Sequence, residues 1–205
     1  IQEPLPKNTA PAIALAAAPG ANLALISTPG EYAAAEATKA LRLGLHVMLF
    51  SDNVALEDEV ALKALARDQG LLVMGPDCGT AILNGVPLAF ANVVRRGPIG
   101  LVGASGTGLQ QISTLVDRLG LGVSHAIGTG SHDLHDAIGG VTMLQGIAAL
   151  AVDPATKVLV LVSKPPAPRV AEKVLAAAGR AGKPVVVCFV GADPKTIKGR
   201  NLHAA

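Results

Sequence analysis

Short, nearly continuous apolar runs alternate with longer stretches in which apolar positions recur every three to four residues. Asn22–Ser27, His46–Phe50 and Leu71–Met74 read as strands, and the segments from Pro29 to Arg42 and Leu56 to Asp68 between them read as amphipathic helices. Pro29 stands where a helix tolerates a missing N–H, and Gly44 and Gly70 close the two helices. Residues 1–20 are rich in Pro and Ala without a period, and read as a loop or short helix entering the fold. Ala81–Ala91 reads as a hairpin turning at Asn84-Gly85, a strong turn dipeptide. A second alternation follows: strands at 99–102, 123–127, 157–162 and 184–190, with helices at 106–119, 141–151 and 167–180. Strands alternating with helices of this length predict parallel βαβ units, and apolar strands predict a sheet covered on both faces.

The pattern predicts an α/β chain of two lobes with mostly parallel sheets. Arg95-Arg96-Gly97-Pro98 marks the expected boundary, giving domains 1–94 and 97–205. Three strands before it are too few for a complete doubly wound domain, so at least one further strand is expected to precede them.

Composition narrows the function. Half of the 205 residues are hydrophobic but only 2% are aromatic, so the core is Ala, Val, Leu and Ile. With a net charge of +2, no basic run beyond Arg95-Arg96 and no aromatic platform, nucleic-acid binding has little support. No apolar stretch reaches the roughly 20 residues a membrane helix needs. Cys78 and Cys188 stand 110 residues apart, outside metal and redox spacings, and fit a reducing cytoplasm.

The candidate chemistry sits in loops that follow strands. Gly103-Ala104-Ser105-Gly106-Thr107-Gly108 follows a buried strand and opens a helix. Small residues let backbone N–H groups approach an oxyanion, and the helix start adds unpaired donors and partial positive charge. Ser105, Gly106, Thr107 and Gly108 therefore form a candidate phosphate seat, although a strand-to-helix turn needs small residues in any case. The spacing is neither a dinucleotide fingerprint nor a P-loop. Three N–H bonds to a charged acceptor, roughly 1.5–3 kcal/mol each before ordering costs, hold free phosphate at about millimolar affinity. Gly128-Thr129-Gly130 also follows a strand, so Gly128 and Gly130 are expected on the same carboxyl edge, where open α/β sheets bind ligands. His132 and His135 next to it suit acid–base or metal chemistry, or plain helix capping, and no metal site is assigned. Lys164 ends the third strand of this series, where it either neutralises an anion or is an ordinary surface lysine. Phe50, Ser51 and Asp52 end a strand of the first lobe and are candidates for the wall of a cofactor crevice. His203 is a further weak catalytic candidate.

Taken together, Leu71–Thr80, Pro87–Val93, Gly97–Val102, Gly103–Gly108, Gly128–Gly130 and Val162–Pro166 resemble the succinyl-CoA synthetase α-subunit superfamily, most closely its FdrA-type branch of predicted acyl-CoA synthetases. The resemblance covers nearly the whole chain from Asn22. It implies a Rossmann-like CoA-binding domain in 1–94, lacking its N-terminal part, followed by a flavodoxin-like ligase domain in 97–205. It places Phe50, Ser51 and Asp52 at the CoA contacts, and Ser105, Gly106 and Thr107 at the phosphate-receiving helix end. It implies CoA, a phosphate or nucleotide phosphate with Mg as a possible companion, a small-molecule substrate, cytoplasmic location, and assembly with other subunits or domains. Three positions depart from the synthetase pattern. Gly103 stands where it has a second serine, Gln110 where it has a substrate-facing tyrosine, and Leu202-His203-Ala204 lacks the glycine that precedes its phosphohistidine. The FdrA branch is also associated with allantoin catabolism, which makes an oxamate carbamoyltransferase subunit using carbamoyl phosphate the alternative. A non-catalytic subunit that binds CoA or a nucleotide is the third.

Overall fold

The computed structural model describes residues 10–199 and 201–205. The chain forms two compact units that divide between Asp77 and Cys78.

The first unit contains α1 (Ala10–Ala17), β1 (Leu23–Ile26), α2 (Gly30–Arg42), β2 (His46–Leu49), α3 (Leu56–Asp68) and β3 (Val73–Met74). Its strands pair in parallel, in the sequence order β1-β2-β3. Right-handed crossovers between strands laid down in that order put both helices on the same face. That face carries Ile26, Val47, Leu49 and Val73, packed against Ala33, Ala37, Ala40 and Leu41 of α2 and Leu62 and Ala66 of α3. On the opposite face Met48 and Met74 are fully buried as well. Alanines at i, i+4 and i+7 let α2 lie close on the sheet.

The second unit contains β4 (Thr80–Leu83), β5 (Val86–Ala89), β6 (Ile99–Gly103), α4 (Gly106–Arg118), β7 (Val123–Gly128), α5 (Val141–Val152), β8 (Val158–Ser163), α6 (Pro168–Gly179), β9 (Val185–Phe189), a 3₁₀ turn (Pro194–Thr196) and β10 (Leu202–Ala204). Seven strands run in the order β10-β9-β8-β6-β7-β4-β5. The five parallel strands have the flavodoxin-like order, and the chain reverses direction across the sheet between β6 and β8. The α4 face packs Leu109 against Leu101, Val123, Ala126 and Val162. On the other face, the lack of a side chain at Gly146 of α5 brings that helix onto Val102 and Ile127. Here both faces are covered, as expected.

The hairpin corrects the expected boundary at residues 95–98. Asn84 and Gly85 have φ of 53° and 81°, the left-handed pair a tight hairpin needs. β4 then pairs antiparallel with β7 at Ile82–Ala126, so the hairpin extends the second sheet. The strap that follows lies along α4: Asn92 donates to Thr114 Oγ1 at 2.6 Å, and Arg95 pairs with Asp117 at 2.8 Å. The expected 1–94 domain therefore loses residues 78–94 to its neighbour. β10, absent from the sequence reading, adds a parallel edge strand against β9.

His125 of β7 fastens the hairpin turn. Its Nδ1 accepts the Asn84 N–H at 3.1 Å, and its Nε2 lies 3.7 Å from the Asp153 carboxylate. Burial holds this imidazole below the usual histidine range; Asp153 opposes that shift and Arg96 reinforces it. The Thr156 hydroxyl, donating at 2.6 Å, is the main cause that holds the Asp153 carboxyl below its ordinary value. The unfolded chain binds a proton at His125 at a higher pH than the folded chain does. Stability of this unit therefore falls as pH drops below about 6.5, the ordinary histidine value, toward the lower folded value. The Asp153 contribution is lost only further down, as pH falls through its depressed value. Melting temperatures at pH 7, 6 and 5 are expected to decline, with the decline reduced in His125→Gln; an equally steep decline in the variant contradicts the assignment.

Candidate functional site

The carboxyl ends of β6, β7 and β8 lie side by side. Gly103, Gly128 and Val162 share one register level, and the Thr129 N–H donates to Gly103 O at 2.9 Å. The two glycine loops named in the sequence analysis thus meet, at the strand where the sheet order reverses, which is where open α/β sheets bind ligands.

The donors of the 103–108 turn divide into used and open ones. Ala104 N–H donates to Val162 O at 3.1 Å and Gly108 N–H to Ser105 Oγ at 3.1 Å. The amides of Ser105, Gly106 and Thr107 meet no acceptor among the described residues. Three adjacent donors at the positive end of a 13-residue helix, with no acidic side chain in its first turn, make this turn the candidate anion seat. Gly106 and Thr107 are exposed, so the seat opens to solvent. Ser105 is the helix cap, its hydroxyl oxygen accepting the Gly108 N–H.

Two glycines are fixed by packing. A Cβ on Gly103 would stand 2.8 Å from Val162 O, and one on Gly108 would stand 2.9 Å from Val162 Cγ2. The serine that the resemblance puts at position 103 has no room here. Gly128 is equally constrained, since its Cβ would stand 2.5 Å from Thr80 O and 2.6 Å from Cys78 Sγ. Gly130 has φ of 88°, a left-handed value that glycine adopts without strain.

The loop after β7 turns one of its acids inward. Asp133 is fully buried and accepts from Thr142 N–H at 3.0 Å and Met143 N–H at 2.9 Å, filling the N-terminus of α5. His132 and His135 stay exposed with ring centroids 5.1 Å apart. Lys164 is exposed one residue past β8, on the same edge as the seat. The Oγ of buried Ser163 beside it has no partner among the described residues.

His203 is not brought to the seat. It pairs with Val186 on the outermost parallel strand, three strands from β6, or about 14 Å at the usual strand spacing. It borders a shallow hollow with Lys183, Pro184 and Asn201, next to the start of β9 rather than the carboxyl edge.

In the first unit, Phe50, Ser51 and Asp52 follow β2. Ser51 is buried and donates its hydroxyl to Thr28 O at 2.5 Å, while its carbonyl accepts the Asp77 N–H at 2.9 Å. It ties the three strand ends together. Phe50 is half-buried and Asp52 exposed.

Sequence reasoning noted Gln110 only as a departure from the synthetase pattern and missed its contact with Thr80. Gln110 Nε2 donates to Thr80 Oγ1 at 3.0 Å and to Phe90 O at 3.2 Å, docking the hairpin on the first turns of α4. The two residues lie 30 positions apart, and no spacing signals their contact.

Comparison with known proteins gives the lineage of this edge. A family described as CoA binding domain matches residues 94–191, on the second unit, whereas the resemblance implied CoA binding by 1–94. "Uncharacterized protein YahF" of Escherichia coli (strain K12) is 56% identical over 187 residues, 91% of this chain and 36% of its own length. The α-2 subunit of a mitochondrial succinate–CoA ligase from Trichomonas vaginalis is 28% identical over 149 residues, 70% of this chain and 47% of its own length. An ATP citrate lyase of Methanothrix soehngenii, solved with citrate and coenzyme A, superposes with a TM-score of 0.75 at 19% identity, over 91% of this chain and 32% of its own. The chain thus spans less than half the length of these relatives.

The capping role of Ser105 has a direct consequence. Ser105→Ala is expected to lower stability by about 1 kcal/mol, the usual cost of a lost N-cap. Gly128→Ala is expected to cost about 1–3 kcal/mol through overpacking on Thr80 and Cys78. Denaturant unfolding measures both; an unchanged midpoint for Gly128→Ala contradicts the close approach of hairpin and β7.

Proposed function

This chain belongs to the succinyl-CoA synthetase α-subunit superfamily, and from that premise we propose that it is the FdrA-type subunit of a CoA-ligase-like enzyme acting on an acyl or carbamoyl phosphate. The observation that carries the reading is the set of open amides at Ser105, Gly106 and Thr107, at the reversal point of the sheet.

The phosphoryl group of the substrate is proposed to sit on these amides, with Gly108 and the Gly128–Gly130 loop shaping the floor. When the acyl–oxygen bond breaks, negative charge grows on the departing phosphate. Donors already aimed at that charge need no reorganisation, so they stabilise the transition state more than the ground state. Lys164, on the same edge, adds a mobile positive charge.

The relatives include succinate–CoA ligase subunits and a lyase solved with coenzyme A, which supports CoA as the acyl acceptor. CoA supplies a thiol nucleophile when bound. The fit in the first unit is partial: the Ser51 hydroxyl is committed to Thr28, which leaves the Phe50 ring and the Asp52 carboxylate as the proposed contacts. The family match over 94–191 supports a share for the second unit as well. No three metal-ligating side chains stand together among the described residues, so Mg²⁺ would arrive held by nucleotide phosphates. Partner subunits or further domains would complete the active site, since these relatives are longer than this chain.

One observation favours the oxamate carbamoyltransferase reading: the distance of His203 from the seat. Carbamoyl transfer from carbamoyl phosphate needs a held phosphate and no phosphohistidine.

Thr107→Glu tests the seat. A carboxylate at the positive helix end is expected to stabilise the fold by about 0.3–1 kcal/mol while displacing phosphate. Millimolar phosphate or carbamoyl phosphate is expected to raise the melting temperature of the wild type and not of this variant. Protection of both proteins alike refutes the seat. Protection by CoA that survives Thr107→Glu but disappears in Asp52→Ala assigns CoA to the first unit; loss in Thr107→Glu assigns it to the second.

A further inference from the structure

Thr80 opens β4 and is only 3% exposed, yet its hydroxyl stands at the start of α4. A methyl on Gly106 would lie 3.4 Å from Thr80 Oγ1. The missing side chain at Gly106 therefore leaves the first turn of α4 next to this hydroxyl. Thr80 Oγ1 accepts the Gln110 Nε2–H at 3.0 Å. That bond occupies one lone pair and turns the hydroxyl hydrogen away from Gln110. No acceptor for this hydrogen is found among the described residues. A nearly buried hydroxyl with an unused donor is costly unless something takes the hydrogen.

The groups around Thr80 fix its position. Thr80 O lies against Gly128, and Cys78 Sγ contacts the same carbonyl at 3.7 Å. Gln110 is fixed in turn by its second donation, to Phe90 O at 3.2 Å. A carboxamide in the reverse orientation would present its oxygen to Phe90 O, so the direction of both bonds is determined.

We propose that Thr80 is a fourth donor of the anion seat, contributed by the hairpin and oriented by Gln110. This rests on the reading of Ser105–Thr107 as a phosphate seat and extends it. The amides of α4 all point along one axis and grip an oxyanion from one end. The Thr80 hydroxyl comes from a different element, near the position a Cβ on Gly106 would take, and is proposed to hold a second oxygen of a tetrahedral phosphate. A carboxylate brings two oxygens in one plane against the three of a phosphoryl group, so it meets fewer of the four donors. The site therefore favours phosphate over carboxylate. Gln110, which stands where the resemblance puts a substrate-facing tyrosine, is thereby a positioning residue that acts through Thr80.

The test titrates inorganic phosphate into the wild type, Thr80→Val, Thr80→Ser and Gln110→Met, following ³¹P line broadening, with acetate as the planar control. Circular dichroism melting confirms that each variant is folded. Thr80→Val keeps the shape and removes the hydroxyl; it is expected to bind phosphate about tenfold more weakly, the loss of one charge-assisted hydrogen bond, with a smaller change for acetate. Thr80→Ser restores the hydroxyl and is expected to return to the wild-type affinity. Gln110→Met leaves Thr80 in place but frees its hydroxyl to rotate. It is expected to weaken phosphate binding by about threefold, and to add nothing once Thr80→Val is present. Should Thr80→Val not fold, Thr80→Ser and Gln110→Met carry the comparison. Phosphate affinity unchanged in Thr80→Val and Gln110→Met, but abolished in Thr107→Glu, overturns the role of Thr80 and leaves the seat standing. No saturable phosphate binding by the wild type overturns the seat and Thr80 with it.

Discussion

The close approach of β6, α4 and β8 around Val162 is the constraint on which the site depends. Gly103 and Gly108 lie on either side of this valine, each too near it for a Cβ. Their lack of side chains lets the first turn of α4 settle directly on the strand ends. In that position Ala104 N–H reaches Val162 O and Gly108 N–H reaches Ser105 Oγ, and the three amides between them meet no acceptor among the described residues. An alanine at position 103 or 108 would move the helix start by a few tenths of an ångström. The amides would then lose their common focus before the fold lost its core. The proposed seat is thus a by-product of tight packing beneath it, which is why its residues are small rather than charged.

Helices that start on the carboxyl edges of the two sheets meet the problem of unpaired amides differently. α5 receives Asp133, whose buried carboxylate accepts from two of its first N–H groups. α2 carries Glu31 in its first turn. α4 has neither, only a neutral serine cap that satisfies a single donor. Asp133 also shows what such a helix start attracts: an anion with two oxygens, at 2.9 and 3.0 Å. The contrast between two neighbouring helices in one sheet is stronger support for an external anion at α4 than a glycine count.

Periodicity made most of the fold legible. The α3 limits of Leu56 and Asp68 coincide with those read from the sequence, and the turn at Asn84-Gly85 has the backbone its dipeptide requires. The hairpin was recognisable but its sheet was not, because the pairing of Ile82 with Ala126 spans 44 residues and leaves no local trace. β10 escaped for a different reason: three residues, Leu202–Ala204, are too short to show alternation. The same limits govern the site. Ser105 to Gly108 are contiguous and readable, whereas Thr80 acquires its surroundings from α4 and β7, both distant in sequence. His203 looked chemically interesting in isolation, and only strand order showed that β9 and β8 separate it from β6.

The affinity available to the proposed seat sets the scale of what else the proposed reaction would need. A few donors to phosphate in a partly exposed site yield about millimolar binding of the free anion. A reaction that must hold an acyl or carbamoyl phosphate long enough to transfer its group needs further contacts to the rest of the substrate. Those contacts are too few here: Lys164 is exposed, His132 and His135 face solvent, and Asp133 is consumed by α5. This shortfall agrees with a chain that spans 36% of one relative and 47% of another. In the proposed enzyme the second unit holds the phosphoryl end of the site, and its small glycine turn is the part that would need least help from other domains or subunits.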